Sequence, residues 1–225
     1  MFIQVNDVQL YYEIHGNGSR PFILLHGNGE STEIFSTLAG QLSRQYTVYA
    51  IDSRGHGRSS SIPEYHYMDM MEDVAEFIRK LNLKEPLLYG FSDGGITGLL
   101  LAIYHPELPA GLMISGANTF PTGVTDECFR DTCQEYEETC NPMVGMMVFE
   151  PDITTKQLES ISIPVQVIAG QYDLIRPEHT KYIAEAIPES RLVIVPGEDH
   201  GSYVINNPVL YKILKPFLTE FDFIS

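Results

Sequence analysis

Short, continuously apolar runs alternate with segments of helical period along most of this 225-residue chain. The runs are Phe22-Ile-Leu-Leu25, Tyr46-Thr-Val-Tyr-Ala-Ile51, Pro86-Leu-Leu-Tyr89, Leu112-Met-Ile-Ser115, Val165-Gln-Val-Ile-Ala169 and Arg191-Leu-Val-Ile-Val195. Runs this short, with little polar alternation, fit strands covered on both sides. Between them, apolar residues recur at three- and four-residue steps, the spacing of one helix face. Ile34, Phe35, Leu38 and Leu42 form one such set, and Ser31-Thr32 can cap it. Met71, Val74, Ile78 and Leu81 form a second; Ile96, Leu99, Leu100 and Ile103 form a third. Further helices are expected over 177–187 and from Asn206-Asn207-Pro208 onward, Pro208 being suited to a first turn. Pro216 falls inside that last pattern and should kink or end it. At the start, Phe2, Val5, Val8, Leu10 and Tyr12 are broken by the turn pair Asn6-Asp7, which reads as a β-hairpin. Strands alternating with helices give an α/β fold with a mainly parallel sheet.

One stretch breaks the rhythm. Residues 119–160 stand between two strands and read as an insertion in a single domain, whose core is 1–118 and 161–225. Within it Phe129, Cys133, Tyr136 and Cys140 keep helical spacing. The opposite face carries Asp126, Glu127, Asp131, Glu135 and Glu138, and Asn141-Pro142 should end the helix. Beyond it, Met143, Met146 and Met147 gather three of the eight methionines.

Composition removes several classes of function. The formal net charge is −16. Such a surface repels phosphate backbones and anionic lipid, so neither nucleic acid nor a membrane surface is an expected partner. No apolar run approaches the roughly 20 residues a bilayer-spanning helix needs. The first residues lack a basic segment followed by an apolar one, so no signal peptide is read. Cys128, Cys133 and Cys140 are an odd, sparse set, which points to a reducing compartment and a cytoplasmic location. They lack C-x-x-C spacing, so no zinc site is expected. The glycine-rich loop Asp52-Ser-Arg-Gly-His-Gly-Arg-Ser59 lacks a phosphate-loop Lys-Ser/Thr pair and dinucleotide spacing, so no cofactor is expected. The sequence assigns no oligomeric state.

The chemistry concentrates at Gly90-Phe91-Ser92-Asp93-Gly94, a G-x-S-x-G pattern after a strand and before a helix. That context is what a nucleophile elbow requires: a sharp turn that exposes the serine hydroxyl at the strand end. The helix N-terminus behind Ser92 offers free N–H groups to a developing anion.

With His26-Gly27-Asn28-Gly29, the loop 52–59, the Ser92 elbow, Gly170-Gln171-Tyr172-Asp173 and Glu198-Asp199-His200-Gly201 in this order, the sequence resembles the α/β-hydrolase superfamily over nearly its whole length. The resemblance implies a mainly parallel sheet of about eight strands flanked by helices, with 119–160 as a short lid over Ser92. It implies Ser92 as nucleophile, His200 as the base beside it and Asp173 as the acid that orients the ring. It also implies an oxyanion hole from the backbone N–H groups of Asn28 and Asp93, with Gly27 letting the loop come close. His26, as the oxyanion-loop histidine, is structural in that family; His56 belongs to the glycine-rich loop, and His179 has no matching motif. Asp199 and Asp152 rival Asp173 as the acid.

The substrate expected is a small carboxylic ester, or a thioester or activated amide. Met143, Met146 and Met147 would suit an adaptable acyl site, or else only seal the lid. A carboxylate directly after the nucleophile, Asp93, resembles amino-acid-ester hydrolases and could attract a cationic substrate group. The structural alternative is that Asp93 caps its helix or pairs with Arg54 or Arg58. A C–C bond hydrolase would use the same three residues, and a weakly catalytic ligand receptor could retain them. A basic partner docking on the acidic face of 126–138 is a further alternative.

Overall fold

The structure is a computed structural model and describes residues 1–221. One eight-stranded sheet comprises β1 (Phe2–Val5), β2 (Val8–His15), β3 (Arg20–Leu25), β4 (Tyr46–Ile51), β5 (Leu87–Phe91), β6 (Gly111–Ser115), β7 (Val165–Tyr172) and β8 (Ser190–Asp199). Its order is β1-β2-β4-β3-β5-β6-β7-β8. The hairpin β1–β2 and the pair β2–β4 are antiparallel; every pairing from β4 across to β8 is parallel.

Successive side chains of a strand point to opposite faces, and both faces are covered. Phe22, Leu24, Tyr89 and Met113 pack with α1 (Ser36–Leu42) and α8 (Val209–Glu220) on one side. Ile23, Leu25, Leu88, Leu112 and Ile114 pack on the other with α2 (Tyr67–Lys80), α3 (Asp93–Tyr104) and α7 (Pro177–Ala186). This double cover explains the absence of polar alternation in β3 to β7; the run Arg191–Val195 departs from it, because β8 lies at the sheet edge and leaves Leu192 and Ile194 exposed.

Between β6 and β7 the chain forms a 3-10 turn (Pro121–Gly123), α4 (Asp126–Thr139), α5 (Pro142–Phe149) and α6 (Thr155–Glu159). The Thr125 side chain caps α4, and Cys140, left-handed at φ 49°, ends it. Asn141 then caps α5, which carries the methionines. Neither α5 nor α6 was expected from apolar periodicity. α5 is apolar almost all round, which erases the pattern, and α6 is a five-residue helix held by a Thr154–Gln157 capping box.

Two expectations need correction. Pro216 does not end the last helix: α8 runs through it to Glu220. Pro216 is exposed, so the backbone carbonyl it leaves without a partner can turn to water. The last two strands also run further than their apolar cores. Past an irregularity between Gly170 and Tyr172, Tyr172 still pairs with Asp199. That register delivers Asp173 and His200, the residues that follow the two strands, side by side. No helix among the described residues is long and apolar enough to cross a membrane.

Candidate active site

Ser92 sits in the turn between β5 and α3 at φ 52°, ψ −115°. A non-glycine residue held at positive φ is strained, and such strain collects at functional sites. The turn is closed by glycines for a plain reason. A Cβ on Gly90 would stand 2.2 Å from the Gly94 carbonyl oxygen, and one on Gly94 would stand 2.2 Å from that of Leu25. The Ser92 N–H donates to Ser115 O at 2.8 Å, and Ser92 O accepts from Gly95 and Ile96, which starts α3. The Asp93 N–H, at the first position of that helix, has no helical partner.

His200 Nδ1 lies 2.6 Å from Asp173 Oδ1. The Asp173 carboxylate is nearly buried and also accepts from the backbone N–H groups of Gly170 and Ile175, each at 3.0 Å. It is therefore held by two backbone donors and by the His200 ring. The His200 ring lies 4.9 Å from the Phe91 ring, centroid to centroid, and covers Gly116, where a Cβ would stand 2.5 Å from His200 Cε1. Asp199 has other work: its carboxylate accepts from the N–H groups of Gly201 and Ser202, and those bonds hold its pKa below the usual range. Asp152 is exposed, away from the ring, beside α6.

The loop after β3 closes over the serine. At Gly27 a Cβ would stand 2.8 Å from Glu30 Oε2 and 3.1 Å from Ser92 Cβ. The Gly27 N–H donates to Glu30 Oε2 at 2.9 Å, so it is already engaged. Burial raises the Glu30 pKa, against the lowering effect of that N–H. Asn28 donates through Nδ2 to Asp93 Oδ2 at 2.9 Å, and the Tyr67 hydroxyl donates to Asp93 Oδ1 at 2.8 Å. Burial raises the Asp93 pKa despite both donors.

Asp93 stands in the first turn of α3 without a side-chain cap bond and pairs with neither Arg54 nor Arg58, so the pairing half of the alternative drawn from sequence fails. Arg54 is drawn to the buried Asp73 by two bonds of 2.7 and 2.8 Å, and Arg58 donates to the Tyr11 hydroxyl. His26 and His56 are buried within the loops, where His26 Nε2 accepts from the Ser53 N–H and His56 Nδ1 meets Arg54 O. His179 is buried on α7 and accepts from the Thr119 N–H.

Ser92, Asp93 and His200 face one cavity of about 110 Å³. Its remaining wall is mostly apolar: Val124, Phe129, Met147, Leu174 and Ile175, with Tyr67, Asn118, Cys128 and Thr132 adding polar edges. Of the three methionines expected there, only Met147 lines the cavity. Met146 is buried in the core and Met143 packs against it, because α5 turns that side inward. Sequence reasoning missed Tyr67, Glu30 and the α4 residues Cys128, Phe129 and Thr132. The four-residue step from Cys128 to Thr132 was the available signal for α4; Tyr67 carried none. Among the described residues no group of three His, Cys, Asp or Glu side chains could hold a metal.

Sheet and cavity define a class: an α/β protein with its cavity at the C-terminal edge of parallel strands, where such sheets bind ligands. A family model described as "alpha/beta hydrolase fold" matches residues 20–139. The human serine hydrolase BPHL is 27% identical, over 96% of this chain and 85% of its own. The pimeloyl-[acyl-carrier protein] methyl ester esterase of Edwardsiella ictaluri is 32% identical, over 87% and 92%. Among solved structures, an esterase from Thermogutta terrifontis superposes with a TM-score of 0.77 at 21% identity, covering 95% and 94% of the two chains. A serine hydrolase of carbazole degradation gives 0.82 at 22% identity, covering 98% of each. The chain belongs to the α/β-hydrolase family, and it is a hydrolase.

Proposed function

We propose that this hydrolase cleaves a small carboxylic ester, or a thioester or activated amide, through an acyl-enzyme on Ser92. The observation that carries this is the 2.6 Å contact between His200 and a buried, triply bonded Asp173, with His200 and Ser92 facing one cavity. Ser92 Oγ attacks the carbonyl carbon and its proton passes to His200 Nε2. The N–H groups of Asn28 and Asp93 receive the oxyanion; the engagement of the Gly27 N–H by Glu30 favours Asn28 as the loop's donor. Collapse breaks the bond to the alcohol, which leaves with the proton from His200. A water then gives its proton to His200 and attacks the acyl carbon, which releases the acid and restores Ser92. Asp173 holds the ring and stabilises its charged form throughout.

Residues 119–160 serve as the lid, with α4 and Met147 covering the acyl side. The names esterase and methyl ester esterase among the similar proteins support the ester reading. The odd, sparse cysteines support a cytoplasmic location. Ser92→Ala should lower turnover of p-nitrophenyl acetate and butyrate by roughly 10⁴-fold or more. Multiple turnover that survives the substitution would overturn the mechanism, and a single turnover with tight ligand retention would make the protein a receptor instead.

A second feature narrows the substrate. Asp93 lines the cavity beside Ser92, and its two bonded partners are both neutral. A carboxylate so placed suits an ester carrying an ammonium group. Asp93→Asn should erase a preference for amino-acid esters over neutral esters of equal size; an unchanged ratio would sink the idea.

A further inference from the structure

We infer that Asn206 is a positioning residue that ties the His200 loop to the segment behind the Asn28 loop, and so sets the spacing between the proton-transferring ring and the oxyanion donors. The inference rests on the function proposed above. Asn206 lies six residues after His200 and stands at φ 49°, a conformation that Asn tolerates better than most residues. All four of its polar groups reach one stretch, residues 33–37. Its N–H donates to Ile34 O at 2.8 Å and its Nδ2 to Glu33 O at 3.1 Å. Its Oδ1 accepts from Ser36 Oγ at 2.6 Å, and its carbonyl accepts from Thr37 Oγ1 at 3.1 Å.

Both sides of this junction are stiff. On the histidine side, the N–H groups of Val204 and Ile205 both donate to Gly201 O at 2.9 Å, Asn207 Nδ2 donates to Ser202 O, and Tyr203 and Val204 are buried. On the other side, the Glu30 N–H donates to Gly27 O, the Ile34 N–H to Ser31 O and the Thr32 N–H to Asp52 Oδ1 at 2.7 Å. A shift at Asn206 is therefore passed in one direction to His200 and in the other to Asn28. The residue itself is exposed, so its substitution opens no core cavity, and surface changes of this kind usually move stability little.

Asn206→Gly keeps the left-handed backbone and its two backbone bonds but deletes the side-chain pair. Asn206→Asp keeps an acceptor for Ser36 and loses the donor to Glu33. On p-nitrophenyl butyrate, Asn206→Gly should lower kcat roughly tenfold with KM within about twofold, since small misplacement of reacting groups is read in kcat. Asn206→Asp should fall between it and the wild type. The pH profile of kcat/KM should move as well, a readout that a merely structural role would leave alone. Adding Ser36→Ala to Asn206→Gly should cost nothing further, because the bond it removes is already gone. A lowered Tm with kcat and pH profile unchanged would make Asn206 merely structural and overturn the inference. Ser92-dependent turnover in wild type with full activity in Asn206→Gly would overturn it alone; wild-type turnover that is indifferent to Ser92→Ala would overturn it together with the proposed function.

Discussion

Asp93 is the residue where stability and chemistry pull against each other. Burial raises its pKa, so the folded protein prefers the neutral acid more than the unfolded chain does. A raised pKa contributes stability that is complete below the ordinary carboxyl range and lost as pH rises through the raised value. Above that raised value the fold carries an ionised group it would rather protonate. A single change tests this. Asp93→Asn keeps the bond from Tyr67, and the Asn28 amide can turn over to accept from the new NH2. Thermal unfolding should place Asp93→Asn above wild type in Tm at pH 8, with the gap closing toward pH 4. A variant less stable than wild type at pH 8 would mean that the charge, and not the neutral acid, is what the site holds.

At the scale of elements, α4 stands apart. It forms part of the cavity wall, yet none of its fourteen residues is buried. Its cap is the Thr125 side chain, which accepts from the Cys128 N–H at 3.3 Å. One of its apolar contacts is Tyr136 against Phe149 of α5, ring centroids 5.4 Å apart. Elements with few buried contacts open first. Thr125→Ala should cost about 1 kcal/mol locally, and hydrogen exchange should show α4 amides opening faster while those of β5 and β6 keep their protection. Uniform exchange across the molecule would refute this. The same elements show what the sequence made legible. Strands buried on both faces were readable because their residues are almost all apolar, and the Ser92 elbow because its glycines are sterically forced. The ends of β7 and β8 were not, because beyond the Gly170–Val195 pair the register is irregular and Tyr172 meets Asp199 without any apolar pattern. The true partners of Asp93 were hidden too: Tyr67 is 26 residues away in sequence and Asn28 is 65 away. Asn206 read as part of a helix start, whereas Asn207 Oδ1 accepts from the Val209 N–H at the opening of α8 and Asn206 faces the other way.

Across the whole molecule, two buried rings set the response to acid. Burial lowers the pKa of His26 to about 4 and that of His179, also opposed by Arg176, to about 4. The unfolded chain takes these protons from about pH 6.5 downward. A depressed pKa contributes stability that is present above the unfolded value and lost as pH falls toward the folded one. Stability should therefore drop between about pH 6.5 and pH 4. Asp93 and Glu30, with raised pKa values, oppose the drop, so a variant isolates the ring. His179→Gln should lose less stability than wild type between pH 7 and 4.5, by about 2–3 kcal/mol in urea titrations. Parallel curves would show that His179 already carries its proton in the fold.

The segment between β6 and β7 also divides the molecule's working parts. The strained serine and both proposed oxyanion donors come from the sequence before it, and the paired acid and histidine come from the sequence after it. On the proposed mechanism, a cut within 119–160 would yield two fragments, each lacking part of the reacting set and each holding part of the parallel sheet. Ester cleavage would then report that the two pieces had met, which makes this fold a natural candidate for a complementation assay in which reassembly is read as colour.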